Sequence, residues 1–312
     1  MTLLWFWQNR EVLGYSLNKL YRATATSKQA FHQWLDRQLA KEEEWQYLRY
    51  MIKDIRENNP GMSVKKMYKT LKPRLFGRDA FFARSREEGL CLHVKRNPRI
   101  TTRSIKEVRF KNLIKGLKRV KCNKVWVSDI TYYPIGNKTY YLTLIMDYKS
   151  KYIVGYSAST RLSTVKTTIP ALKMALKNHQ LAYKPIFHSD AGGQYYQKDF
   201  KKLTKDHGFR NSMTEAPSEN NHAERINGTI KNEYLSWYMP TTFEELQRAL
   251  SKAVKCYNYE RPHDSLNGMT PAQVIGLADD VHLPAARNFL KEIKQQSLNK
   301  SMFNPSKVVN AI

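Results

Sequence analysis

Pro185-Ile186-Phe187-His188-Ser189-Asp190-Ala191-Gly192-Gly193-Gln194-Tyr195 is a short apolar run that ends in a carboxylate and two glycines. The run reads as a buried strand, and the glycines as a turn that receives Asp190 at the strand's carboxyl end. In sheets covered by helices, that edge is where ligands gather. Taken alone, an Asp before glycines is more simply a turn former. Two other stretches change the reading. Upstream, Val125-Trp126-Val127-Ser128-Asp129-Ile130-Thr131-Tyr132-Tyr133 is β-rich with Asp129 in its middle. Downstream, Ser218-Glu219-Asn220-Asn221-His222-Ala223-Glu224-Arg225-Ile226-Asn227 is helical and carries Glu224. Three carboxylates on three elements are the donor set that a divalent-metal phosphoryl-transfer site requires.

Around these stretches the pattern is α/β. Residues 125–133, 139–147 and 152–158 are rich in Val, Ile, Thr, Tyr and Leu and read as strands. Gly136-Asn137-Lys138 and Lys149-Ser150-Lys151 are short enough to turn hairpins. Residues 164–179 read as a helix with Val165, Ile169, Leu172 and Leu176 on one stripe. A strand over 184–189 and a helix over 197–207, closed by Gly208, follow. Hairpin-linked strands, then helix, strand, helix predict a mixed sheet flanked by helices. A last helix over 242–259 turns Phe243, Leu246, Leu250, Val254 and Tyr257 inward. Residues 291–312 read as a helix fragment with a loose tail.

The amino-terminal third is helical. Residues 16–39 read as two short helices broken near 23–27, capped by Ser16 and Ser27. A separate helix over 42–57 carries Trp45, Leu48, Ile52 and Ile55 and stops at Asn58-Asn59-Pro60-Gly61. Ser63 caps 64–71, and 78–87 closes at Gly89. Helix, Pro-Gly turn and basic helix fit a helix-turn-helix or winged-helix module, with Lys65, Lys66 and Lys69 facing DNA. The connector 95–124 holds Lys95, Arg96, Arg99 and Arg103 among its many cations against a single acid, Glu107. Such a run repels itself and either stays extended or lies along phosphates. The predicted divisions are therefore a helical DNA-binding region at 1–94, a basic linker at 95–124, a catalytic core at 125–237 and a carboxyl-terminal helix and tail at 238–312.

Composition agrees with a polyanionic partner. The 312 residues carry a formal net charge of +26, and the pI is about 9.9, the footprint of a nucleic-acid binder. Cys91, Cys122 and Cys256 have no metal-ligand spacing and suit reduced thiols in a cytosol. No run approaches the ~20 apolar residues of a membrane span, and Leu3-Leu4-Trp5-Phe6-Trp7 is too short for a signal peptide core. A cytoplasmic, nucleoid-associated protein is expected.

Trp126 to Tyr132, His188-Ser189-Asp190, and Glu219-Asn220 with Ala223-Glu224-Arg225 resemble the three catalytic blocks of bacterial insertion-sequence transposases with a retroviral-integrase-like core. Tyr257-Asn258-Tyr259-Glu260-Arg261-Pro262-His263-Asp264-Ser265-Leu266, with Thr270-Pro271, resembles that family's closing signature. The resemblance covers residues 16–275. It implies a ribonuclease-H-like fold and an Asp-Asp-Glu site of Asp129, Asp190 and Glu224 holding two magnesium or manganese ions. It also implies element-end and target DNA as partners, a homo-oligomer on that DNA, and a frameshift fusion with the product of an upstream overlapping frame.

Helical spacing supports Glu224. Asn220, Glu224, Asn227 and Lys231 fall on one face, and Ala223, Ile226, Ile230 and Tyr234 on another suited to packing. Lys231 stands where the family usually has a basic residue, and it is assigned with Asn220 and Asn227 to DNA contact. Asp129 and Asp190 have sixty residues between them, as is ordinary for the family, but Asp190 and Glu224 have thirty-three, two fewer than usual. The shortening falls in the loop before the catalytic helix. Loops tolerate such changes, yet a displaced Glu224 would leave an inactive copy. Glu219 is a rival ligand, about 140° away around the helix. His188 reads as a packed strand-end residue before it reads as a base. The expected function is a transposase that exposes 3′-hydroxyls at element ends and joins them to DNA by transesterification. The alternatives are an inactive DNA-binding regulator or relic, and a nuclease without strand transfer.

Overall fold

The computed structural model describes residues 5–7, 9, 12, 14, 16–92, 110–117, 119–190, 192–214 and 221–278. Its contacts divide into two compact units. The first takes in residues up to Ile52 together with Pro73–Gly77, and the second Lys53–Lys72 and Arg78–Val281.

Helix α1 (Leu17–Ala23) lies in the first unit and precedes α2 (Lys28–Asn58), whose last turns, from Lys53, belong to the second. The Ser27 hydroxyl accepts from the Ala30 amide at 3.0 Å, as a cap should, while Ser16 makes no side-chain cap. Tyr21, Phe31 and Leu35 pack together. The Glu44 carboxylate accepts from the Arg74 and Leu75 amides, each at 2.7 Å, and Trp45 packs on Phe76 with ring centroids 5.4 Å apart. The expected break between 39 and 42 does not occur: α2 runs through it for 31 residues. Leu39-Ala40-Lys41 are strong helix formers, and nothing there stops a helix.

In the second unit, five strands form one sheet: β1 (Val125–Ile135), β2 (Lys138–Asp147), β3 (Ile153–Ser159), β4 (Ile186–Ser189) and β5 (Arg210–Met213). The spatial order is β3-β2-β1-β4-β5. β1 to β3 are antiparallel, whereas β4 lies parallel to β1 and β5 parallel to β4. This is the ribonuclease-H-like mixed sheet. Strand alternation splits β1: Val125 and Val127 join one core and Trp126 the other. Helices α5 (Thr168–Asn178) and α6 (Lys198–Asp206) cover Trp126's face. On the other face lie α7 (Asn221–Thr229), a π-helical segment (Ile230–Leu235) and α8 (Phe243–Tyr259). α9 (Pro271–Ile275) closes the described chain.

Three further details depart from the sequence reading. β5 was not expected, because Arg-Asn-Ser-Met has no β-branched residue; its pairing with β4 makes it a strand. α5 starts at Thr168, which leaves Val165 off the helix and 56% exposed. α7 passes at Ile230 into the π-helical segment, so spacing at 100° per residue no longer holds there. The helix fragment expected at 291–312 lies outside the described residues.

Helices α3 (Val64–Leu71) and α4 (Arg78–Glu87) belong to the second unit. The Asn59-Pro60-Gly61 turn before α3 is fastened to the π-helical segment and the end of α8. Tyr234 donates its hydroxyl to Asn59 at 2.8 Å, the Asn59 amide donates to Glu260 at 2.7 Å, and the Gly61 amide donates to the Glu233 carbonyl at 3.0 Å. A Cβ on Gly61 would stand 2.4 Å from Glu233 Cα, so only glycine permits this approach. Beside it, Arg261 forks onto Glu233 with bonds of 2.7 and 2.8 Å, and Lys66 donates to the same carboxylate at 3.1 Å. Burial pushes the Glu233 carboxyl up, but hydrogen bonds and charge from Arg261 and Lys66 outweigh it and hold it below the usual range. At the far edge of the sheet, Asn258 accepts from the Ile153 amide at 2.9 Å and donates to the Ile153 carbonyl at 3.0 Å. Among the described residues, no helix is long and apolar enough to cross a membrane.

Candidate active site

The register of two parallel strands builds the centre of the site. Ser128 on β1 pairs with Ser189 on β4, so the next residues, Asp129 and Asp190, emerge side by side at the carboxyl end of β4. Neighbouring strands lie about 4.8 Å apart, which brings two carboxylates into strong mutual repulsion. Burial first, and then the charge of Asp190, pushes the Asp129 carboxyl up to about 7. Hydrogen bonds from the Ile130 amide and from Asn227 oppose that shift, and the charge of Glu224 adds a smaller upward push.

Beneath the pair the scaffold is rigid. The Ser128 hydroxyl donates to the Leu144 carbonyl at 3.0 Å and lies 2.9 Å from the Tyr195 hydroxyl, whose ring is buried among Phe187 and Phe200. After β4, the Gly192 amide donates to Asp190 Oδ1 at 3.0 Å. A Cβ at Gly192 would lie 2.9 Å from that oxygen, so a side chain there would crowd the Asp190 carboxylate.

Helix α7 brings the rest. Its apolar back, Ala223 and Ile226, is buried, and Ile230 and Tyr234 of the π-helical segment continue the buried face. Asn227 Nδ2 donates to Asp129 Oδ2 at 2.9 Å. Asn227 is thus buried and occupied with Asp129, where an outward DNA-facing position had been expected. Its Oδ1 is buried with no hydrogen-bond partner among the described residues. Burial pulls the Lys231 ammonium down, while the charge of Asp129 pulls the other way, so Lys231 stands within electrostatic reach of that carboxylate. Glu224 is exposed on the same helix.

The structure therefore brings together Asp129, Asp190, Asn227 and Lys231. It does not close Glu224 onto them: among the described residues, no three His, Cys, Asp or Glu side chains are grouped to hold one metal ion. The donor chemistry nonetheless suits a hard divalent cation. Two adjacent carboxylates, one of them disfavoured as an anion by its surroundings, sit beside an unsatisfied amide oxygen, and all are oxygen donors.

Other expected residues are placed as follows. Lys65 is exposed on α3. Lys66 turns inward to Glu233, and Lys69 pairs with Asp264. Lys95, Arg96, Arg99, Arg103, Glu219 and Asn220 lie outside the described residues. His188 is fully buried, with Nδ1 2.9 Å from the Ser212 hydroxyl, so it packs the sheet. The three cysteines are free thiols. Sequence reasoning gave no role to Glu233 and none to Arg261. The signal was present in an arginine next to a proline at the end of a long amphipathic helix, but its partner lies 28 residues away.

Comparison with known families places this sheet among known folds. Residues 119–218 match a family described as integrase core domain, and residues 207–271 match a second family of the same description. Together the two matches run from residue 119 to residue 271. About half of the chain is similar to proteins of bacterial insertion sequences. It is 28% identical over 167 residues to the putative transposase InsK of IS150 from Escherichia coli K12, covering 52% of this chain and 57% of that protein. It is 33% identical over 153 residues to an uncharacterized 31 kDa protein of insertion element IS600 from Shigella sonnei, covering 48% and 56%. Transposase InsF of insertion sequence IS3fB from E. coli K12 is 30% identical over 154 residues, covering 48% and 53%. The chain thus spans just over half the length of each relative. Among solved structures, the magnesium-bound HTLV-2 integrase core is 23% identical with a TM-score of 0.40, covering 49% of this chain and 95% of that one.

Proposed function

We propose that the integrase core of this chain is the catalytic part of a DNA transposase of the Asp-Asp-Glu type. The observation that carries the reading is the register pairing of Ser128 with Ser189, which sets Asp129 beside Asp190 and under the Asn227 amide. Asp129, Asp190 and Glu224 would hold two magnesium or manganese ions, with Glu224 swinging in from its exposed place on α7. Such ions, when bound, make a water or 3′-hydroxyl nucleophilic and stabilise the leaving oxygen. The protein's own groups do the rest. Asn227 fixes the Asp129 carboxylate, and Lys231 places positive charge where a scissile phosphate would pass. The rigid β1–β4 pair keeps both acids in place through cleavage and joining. Element-end and target DNA are the substrates, and a homo-oligomer on DNA, with an upstream-frame product, is the working form.

Lys65, together with Lys95, Arg96, Arg99 and Arg103 of the connector, supplies further backbone contacts, with Asn220 ahead of α7. The helices of residues 1–94 assist end binding.

A second reading, an inactive regulator or relic, is favoured by one observation: Glu224 does not join the acid pair. Supercoiled plasmid, element-end duplex and magnesium separate the readings. Strand-transfer product supports a transposase, nicks alone a nuclease, and binding without any cleavage the regulator.

A further inference from the structure

On the side of α7 away from Asp129 lies a cavity of about 850 Å³. It is bounded by the β2–β3 turn, α7, the end of α8 with the loop that follows, and the segment leading into β1. Its lining is cationic. Arg119, Lys149 and Arg225 stand exposed at its rim, and Lys151 is half-buried in its wall. Lys66 and Arg261 form its back, already neutralised by Glu233. Asp264 is its single lining acid and pairs with Lys69. Asp147, beneath the turn, accepts hydrogen bonds from Asn123 and Ser150. None of Arg119, Lys149, Lys151 and Arg225 forms an ion pair with an acid among the described residues.

Two histidines are held neutral in this wall. His222 packs edge-on to Tyr148, its Nδ1 3.4 Å from Lys151 Nζ. Burial, with Lys151 and Arg225, pushes it down to about 4. His263 packs on Tyr257 with its ring nitrogens 3.2 and 3.4 Å from Arg261 Nη1, and burial with Arg261 pushes it down to about 3. Burial, with the surrounding cations, keeps both imidazoles unprotonated, and Arg119, Lys149 and Arg225 at the rim have no acid paired with them among the described residues.

We infer that this cavity is a second phosphate-binding site, separate from the acid pair, which takes a segment of DNA backbone on the far side of α7. Guanidinium forks such as Arg119 and Arg225 match phosphate oxygens, and lysines supply point charge. A single small anion would fill little of the volume and leave rim cations unpaired, whereas successive phosphates of one strand can meet Arg119, Lys149 and Arg225 in turn. Helix α7 and the π-helical segment that continues it then have DNA on both sides: the scissile phosphate at Lys231 and a holding contact at Arg225. The inference rests on the transposase reading for its ligand but needs no chemistry.

The test uses the full chain carrying Asp190→Asn, in EDTA, so that binding is read without cleavage. Affinity for a labelled duplex is measured from about 50 mM to about 200 mM salt, where each phosphate contact contributes a slope of about −0.9 in the log–log plot. Arg119→Ala/Lys149→Ala/Arg225→Ala should flatten the slope by about 2–3 and weaken binding at least tenfold. Lys173→Ala/Lys177→Ala, which removes exposed charge from α5, should leave the slope unchanged. An unchanged slope in the triple variant, equal flattening in the α5 control, or no duplex binding by the parent each overturns the inference. Pyrophosphate that binds the parent but not the triple variant, while duplex binds both with the same slope, would also overturn it, in favour of a small-anion site. A parent without Asp190→Asn that fails to cleave, yet whose binding slope depends on these residues, would sink the transposase reading and leave this one standing.

Discussion

Asn227 donates its side-chain N–H to Asp129 at 2.9 Å, so the helix that carries Glu224 is hydrogen-bonded to the strand that carries the first acid. Replacing Asn227 with Ala leaves Asp129 without that donor and removes the unsatisfied Oδ1, two effects on stability of opposite sign. The thermal midpoint should change little. Plasmid nicking with magnesium should fall at least tenfold, because the carboxylate is no longer oriented.

The acid pair opposes folding when no cation is present. Asp129's pKa, raised to about 7 by burial and then by Asp190, means the folded chain binds this proton more tightly than the unfolded chain does. This group's contribution to stability therefore falls as pH rises from about 4 towards about 7. At pH 8 in EDTA, Asp129→Asn should melt above the parent, by about 2–4 °C for each kcal/mol relieved. Asp129→Asn, Asp190→Asn and Glu224→Gln should each abolish cleavage with DNA binding retained, and the triple variant should be little worse. Glu224→Gln with parental cleavage would make Glu219 the third ligand.

His222 and His263 act in the opposite pH direction. Their folded pKa values of about 4 and about 3 lie below the unfolded value of about 6.5. Their stabilisation is complete above that unfolded value and is lost as pH falls through this window. The urea midpoint difference between the parent and His263→Gln should shrink between pH 7 and pH 4. A difference that is constant with pH would show that His263 titrates normally.

Gly61→Ala should be costly out of proportion to one methyl group. Its Cβ meets the Glu233 backbone at 2.4 to 2.8 Å, and backbone cannot swing aside as a side chain can. A loss of about 1–3 kcal/mol is expected, read by urea unfolding. Gly77→Ala, where the space is open, serves as the control.

The strands β1 to β4 and the stripe of α8 were legible because each carries its own period: Val125 and Val127 against Trp126, and Leu246, Leu250, Val254 and Tyr257 along one face. Asp129 and Asp190 were legible for the same reason, since a lone acid in a β-rich run stands out. What was not legible depends on partners distant in sequence. β5 is a strand only because β4 lies beside it. The inward turns of Lys66 and Asn227 are set by Glu233 and Asp129, which a helical wheel does not contain. The π-helical segment shifts the wheel where Glu233 must meet Arg261, and no local composition announces such a widening.

The amide of Asn258 does for Ile153 what another strand would do, closing both backbone groups at one point on the outer edge of β3. A plugged edge is a poor template for a foreign strand, so sheet extension between copies, and the fibrous aggregation it leads to, is discouraged at that position. Asn258→Ala should therefore do more than loosen one helix: it should leave the folded chain open to self-association by its rim, a fault visible as turbidity on standing and not as a change in DNA affinity.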